Sequence, residues 1–260
     1  RLRFWLSSHN SFVFVWFYRY LYTPKPGSLP ELLSNYSRWV GQPFTVVQIG
    51  ANDGFNNDPI HKFIKRDNWQ GVLLEPQKWV FDRFLTRIYQ KNRGIQVIHA
   101  ALGARDGFMP LYKISFSDAR WATGLATFER PQLEKALASP YVDKQVAKEG
   151  VQRPARLEDQ IVEEQVPVLK VSTLLDRYQI EQMDMLQIDT EGFDYQVIQL
   201  FDVAKTQPRL IVFESCHLSE TAFRDCQQHL KTAGYAIRTL GPNTVAMHQP
   251  PEEFQAFFQG

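Results

Sequence analysis

The chain has 260 residues, 44% of them apolar and 22% charged, with 29 basic against 28 acidic side chains. Such a length and balance describe one folded domain with additions and exclude a long disordered chain. A net charge of +1 also leaves no chain-wide basic footprint of the kind that nucleic-acid binding requires.

The first predicted element is an aromatic run, Phe12-Val13-Phe14-Val15-Trp16-Phe17-Tyr18, followed by Arg19, Tyr20, Leu21 and Tyr22. It falls short of the roughly 20 apolar residues that span a bilayer, because Ser7 to Ser11 interrupt it. Thr23-Pro24-Lys25-Pro26-Gly27 reads as a linker and not as a cleavage site. Two readings stand. The first is a helix packed on the domain or on a second subunit. The other is an interfacial anchor with Arg1, Arg3 and Arg19 at lipid phosphates. Residues 1–43 are read as a helical extension, 44–250 as the main domain and 251–260 as a tail.

From residue 45 short β-type runs alternate with helical periods. Thr45 to Ile49, Gly71 to Glu75 and Ile95 to His99 read as strands, with helices near 58–66 and 78–91. Met185 to Ile188 and Leu210 to Glu214 add two buried strands. Gly234 to Thr239 and Thr244 to His248 flank the turn Gly241-Pro242-Asn243 as an antiparallel pair. This alternation predicts an α/β fold: a doubly wound, mostly parallel sheet closed by a C-terminal antiparallel hairpin. Between the third and fourth strands, residues 106–183 form an insertion with a strand over Gly107 to Ser115, an aromatic patch around Trp121 to Phe128 and a polar helix near 131–149. At that place it is expected to wall the second substrate. Cys216 and Cys226 match no zinc pattern and no disulfide scaffold. They point to a reduced, cytoplasmic setting, with contact at the cytoplasmic face of a membrane as an option for the aromatic segment.

The densest chemical signal is Val46-Val47-Gln48-Ile49-Gly50-Ala51-Asn52-Asp53-Gly54-Phe55. A buried strand runs into two glycines four residues apart, a turn that lets backbone approach a ligand closely. The spacing is not the three-glycine dinucleotide fingerprint. Glu75, before Pro76, ends the second strand, where a carboxylate can accept both ribose hydroxyls of an adenosine cofactor. His99-Ala100-Ala101-Leu102-Gly103 offers small residues for an adenine ring. Ile188-Asp189-Thr190-Glu191-Gly192-Phe193-Asp194 ends the fourth strand in carboxylates. Asp194 reads equally well as a helix cap. Glu214 and His217 close the rim.

The string from Val47 to Asp58, Glu75-Pro76, the small residues at 99–103, Val171 to Asp176 and Ile188 to Gly192 together resemble FkbM-type methyltransferases over about residues 44–248. His99 stands where the family pattern carries asparagine. The resemblance implies a class I methyltransferase (Rossmann-like) fold and S-adenosylmethionine as donor. It also implies transfer to a hydroxyl on a sugar, polyketide or glycolipid, so the expected partner is a small-molecule or glycan acceptor. By that resemblance Gly50, Ala51, Asn52, Asp53, Gly54 and Asp58 form the donor loop, and Glu75 and Pro76 hold the ribose. Ala101 and Leu102 flank the adenine, and Asp189 lies near the methionine end. His217, Glu191, Asp189 and Glu214 are the candidate bases; Asp189, Glu191 and Glu214 could instead bind Mg²⁺. A nicotinamide-dependent oxidoreductase and a non-catalytic binding module remain as alternatives.

Overall fold

The computed structural model describes residues 2–259. Arg1, one of the arginines considered for lipid contact, lies outside them. Strands β1 (Thr45–Ile49), β2 (Gln70–Leu74), β3 (Ile95–Ile98), β7 (Met185–Ile188), β8 (Leu210–Glu214), β9 (Tyr235–Leu240) and β10 (Asn243–His248) form one sheet in the order β3-β2-β1-β7-β8-β10-β9. The first five run parallel, as the sequence predicts. β10 is antiparallel to both β8 and β9, so β9 runs parallel to the rest. The hairpin therefore contributes a single reversed strand, slotted one place in from the edge.

The central strands are apolar on both faces, as strands covered by helices on both sides must be. In β1, Val46 packs into one core with Leu33, Tyr36, Phe63 and Trp69. Its neighbour Val47 enters the opposite core with Ile198, Phe201 and Leu230. Register then sets the functional edge. Ile49 pairs with Leu74 and Ile188, Leu74 with Ile98, and Ile188 with Phe213. Gly50, Glu75, His99, Asp189 and Glu214 consequently emerge side by side at the carboxyl end of the sheet, where ligands bind in open α/β folds.

The insertion builds a second, three-stranded sheet in the order β4-β6-β5, from β4 (Ala101–Leu102), β5 (Gly107–Ile114) and β6 (Ile161–Leu169). β6 escapes the sequence reading because its Glu163-Glu164-Gln165 face mimics a loop. The single helix expected near 131–149 is two, Arg130–Leu137 and Pro140–Glu149. Pro140 lacks the amide that would continue the first helix and pushes Ser139 out of helical geometry.

Both outer boundaries read from the sequence fall inside packed structure. Helix Leu29–Val40, capped by the Ser28 hydroxyl on the Glu31 amide, buries Leu32, Leu33 and Tyr36 in the main core. Helix Glu252–Phe258 drives Phe254 against Tyr36 and Trp39, with ring centres 5.7 Å apart in each case. Among the described residues, no helix is long and apolar enough to cross a membrane.

Candidate active site

Gly50 ends β1 at φ +79, and a β-carbon there would lie 1.8 Å from the Asp189 carbonyl oxygen. Only glycine allows the loop after β1 to lie so close to the end of β7. The Gly50 and Ala51 amides donate to Leu74 O at 3.1 and 2.9 Å, which turns the chain across the end of β2. Asn52 follows in the left-handed region at φ +48. Its amide donates to Glu75 Oε2 at 2.7 Å, while the Gln77 amide donates to Glu75 Oε1 at 2.8 Å. Each carboxylate oxygen keeps a further acceptor site free. Burial pushes the Glu75 carboxyl up to about 7 against these two hydrogen bonds.

A cavity of about 970 Å³ opens over this edge, near the top of the roughly 300–1,000 Å³ range of ligand sites. Ile49, Gly50, Asn52, Glu75, Pro76, Ala101 and Leu102 line one part of it. Ala51, Asp53, Gly54 and Asp58, expected in direct contact with a donor, stand behind that wall. Asp53 Oδ1 accepts the Phe55 and Asn56 amides, and its Oδ2 accepts the Asn56 side chain. Asp58 accepts the Ile60 and His61 amides at 2.8 and 2.9 Å, and the Gln48 amide group at 3.1 Å. These aspartates shape the loop and cap the following helix. Gly54 admits Leu85 and Tyr89, which would lie within 3 Å of a β-carbon there.

The rest of the cavity is acidic and aromatic. One oxygen each from Asp189, Glu191 and Glu214 falls within a 4.8 Å cluster. Burial, then Glu214 and Glu191, push the Asp189 carboxyl up to about 8. Burial and Glu214 push Glu191 up to about 7. Glu191 also holds φ +54, a conformation that disfavours a residue with a side chain by about 1–2 kcal/mol. His217 Nε2 stands 3.4 Å from Glu191 and 3.5 Å from Glu214, half-exposed at the rim.

The loop carrying these groups is fixed by Asp194, which is fully buried. Its Oδ2 accepts the Thr190 hydroxyl at 2.9 Å and the Thr190 and Gly192 amides at 3.3 Å; its Oδ1 accepts the Glu214 amide at 3.1 Å. Asp194 thus ties the β7 loop to the end of β8, more than the helix cap its position suggested.

The insertion contributes the facing wall, including Trp121 and Phe128 of the aromatic patch read from the sequence, while Arg120, Gln132 and Tyr141 were not singled out there. Arg120 pairs with Asp53 at 2.9 Å, and Gln77 Nε2 donates to Thr123 O at 3.0 Å. No local pattern marks Arg120, because its contact with Asp53 joins segments more than 40 residues apart.

Three of the raised carboxyls, those that line the cavity, set a pH dependence. With folded pKa values of about 8 for Asp189 and about 7 for Glu191 and Glu75, the folded chain holds more protons than the unfolded chain between about pH 4 and 8. The stability they contribute is greatest at acid pH, declines as pH rises through that window and levels off above it. The ligand-free protein should melt about 5 °C higher at pH 5.5 than at pH 8, from roughly 2 kcal/mol after allowing for solvent screening. Asp189→Asn should flatten the profile, as thermal melts across pH would show. An Asp189→Asn profile with the same slope as wild type contradicts the assignment.

Six parallel strands with one reversed strand inside the edge, and an acid row at their carboxyl ends, define a class I methyltransferase fold. The family model of the Methyltransferase FkbM domain matches residues 48–237, and the chain belongs to that family. Methyltransferase FkbM from Methylobacillus flagellatus KT is 13% identical, aligned over 84% of this chain and 50% of that one, with a TM-score of 0.45. The chain thus spans half the length of that protein. Precorrin-6y C5,15-methyltransferase from Geobacter metallireducens GS-15 aligns at 10% identity over 85% of this chain and 87% of that one, TM-score 0.42. The human methyltransferase 10 domain containing protein aligns at 9% identity over 87% and 85%, TM-score 0.42. No curated protein matches the chain. Family membership rests on the domain match.

Proposed function

We propose that the protein is an S-adenosylmethionine-dependent O-methyltransferase acting on a hydroxyl of a sugar, glycan or other hydroxylated metabolite. The observation that carries this reading is the single cavity in which Gly50, Asn52 and Glu75 face the Asp189, Glu191 and Glu214 cluster. The donor fits the residues present. Gly50 brings its bare backbone to the cavity wall, Glu75 has acceptor sites for ribose hydroxyls, and Ala101 and Leu102 with Pro76 make an apolar slot for the adenine. When bound, the sulfonium supplies an electrophilic methyl carbon.

The chain's own task is to align the acceptor oxygen and remove its proton. Glu191 is the base in this reading, because its carboxyl is held near neutrality and its partner His217 reaches solvent to pass the proton on. Trp121, Phe128, Tyr141 and Phe193 offer faces for the apolar side of a sugar ring. Of the basic side chains lining the cavity, Arg120 is engaged by Asp53 and His217 lies between two glutamates, so a neutral acceptor is favoured over an anionic one. The reversed β10 between β8 and β9 departs from the all-parallel dinucleotide sheet and weighs against a nicotinamide enzyme.

Glu191→Gln should lower kcat about 100-fold on the best hydroxylated acceptor while leaving donor affinity within about threefold. His217→Ala should lower it about tenfold and shift the pH profile. Equal kcat in wild type and Glu191→Gln removes Glu191 as the base. The same all-oxygen cluster also fits a hard divalent cation, and Asp189, Glu191 and Glu214 would hold Mg²⁺, which would lower the pKa of a bound hydroxyl. Loss of turnover on chelation, restored by Mg²⁺, favours that second reading.

A further inference from the structure

Helix Phe12–Trp16 continues as a π-helical turn over Phe17–Leu21, and the whole stretch is apolar on every side apart from Arg19. A helix hydrophobic all round belongs in an interior, yet only one face of this one is covered. Phe14 and Tyr18 point inward, and Phe14 packs edge-on against the buried His61. The outward face carries Phe12, Val13, Trp16, Phe17, Tyr20 and Leu21 at helical spacing, joined by Leu2 and Trp5 from helix Leu2–Ser8. Eight of the 14 large apolar side chains exposed among the described residues lie here, with Phe12 78% and Leu2 71% exposed.

This face is held rigidly from beneath. Ser7 Oγ meets His61 Nε2 at 2.7 Å, Lys65 Nζ donates to Asn10 Oδ1 at 2.8 Å, and Arg19 donates to Arg66 O at 2.6 Å. It also adjoins the loop after β1: Phe4 packs edge-on to Phe55 at 5.5 Å, and the Arg3 guanidinium lies over the same ring.

Charge identifies the occupant. Residues 1–30 contain Arg1, Arg3, Arg19 and Lys25 and no acidic residue. Arg3, Arg19 and Lys25 are exposed around the aromatic face. A second copy of the same face would set like charges together, whereas phosphate-bearing headgroups would neutralise them. Tryptophan and tyrosine suit the depth at which headgroups meet acyl chains.

We propose that the aromatic face of residues 2–21 is a docking surface for an anionic lipid bilayer, seated beside the loop that ends β1. Docking there would bring a membrane-borne hydroxyl acceptor to the cavity without the chain entering the bilayer.

The test is co-sedimentation of the full chain with phosphatidylcholine vesicles, with and without about one-third phosphatidylserine. Binding should be at least about tenfold stronger to the anionic vesicles, weaken in high salt, and fall about tenfold in Phe12→Ser/Val13→Ser, both of whose side chains are exposed. Circular dichroism and melting of that variant should match wild type. Lys25→Glu should weaken binding without touching the apolar face. Failure of folded wild type to bind anionic vesicles overturns the proposal. A concentration-dependent dimer abolished by Phe12→Ser/Val13→Ser, with no vesicle binding, assigns the face to a second copy instead.

Discussion

Alanine at Glu75 is expected to weaken S-adenosylmethionine binding by about 100- to 1,000-fold, while the fold persists. A carboxylate that accepts two ribose hydroxyls loses two charge-assisted hydrogen bonds, each contributing roughly 1.5–3 kcal/mol. The same substitution frees the Asn52 and Gln77 amides, which now converge on Glu75 at 2.7 and 2.8 Å, so the loop after β1 would lose its anchor. Glu75→Gln separates the two effects. It keeps an acceptor oxygen for one amide but removes the charge, so affinity should fall by a smaller factor. Because burial holds the Glu75 carboxyl near 7, wild-type affinity should also rise from pH 6 to pH 8 as the group ionises. Titration calorimetry of the two variants, and of wild type at pH 6 and pH 8, checks all three points. Unchanged affinity in Glu75→Ala would move the ribose elsewhere.

Valine at Gly50 is expected to remove several kcal/mol of stability and to disrupt donor binding. Its β-carbon would stand 1.8 Å from Asp189 O, a backbone atom that cannot retreat without parting β1 from β7. The positive φ adds about 1–2 kcal/mol, and overpacking of this kind typically 1–3 kcal/mol or more, against a total stability of about 5–15 kcal/mol. Gly27→Ala is the matched control. Gly27 shares a positive φ of +72 but would meet nothing within 4 Å, so it should show the backbone penalty alone. Denaturant melts of the two variants measure the difference. Similar small losses in both would mean that the close approach of Gly50 to Asp189 is not built into the fold.

The edge of the cavity formed by Gly50 and Glu75 was legible because its signals are local. A buried run followed by glycine, as at Val46 to Gly50, specifies a strand and a tight exit from it. An acid at the end of the next run, as at Glu75, then falls at the same edge through parallel pairing alone. The acidic cluster was legible for the same reason, since Asp189 and Glu214 also terminate buried strands in register.

What the sequence hid depends on distant partners. The parallel direction of β9 follows from β10 pairing with β8 and not from the hairpin itself. Asp53 carries a loop-forming role because its oxygens are taken by Phe55, Asn56 and Arg120, and Arg120 comes from the insertion. Asp58 looked like a ligand-facing acid, yet it caps a helix and meets Gln48. Helix Leu29–Val40 read as an extension because nothing local ties it to partners such as Trp69 and, at the other end of the chain, Phe254.

The central claim is that the cavity binds S-adenosylmethionine, and the most direct measurement is calorimetric titration of the wild-type protein with this donor and with S-adenosylhomocysteine, using NAD as control. The account predicts saturable one-site binding of the first two and none of NAD. A folded protein that binds neither donor nor product, or that binds NAD in their place, would contradict it.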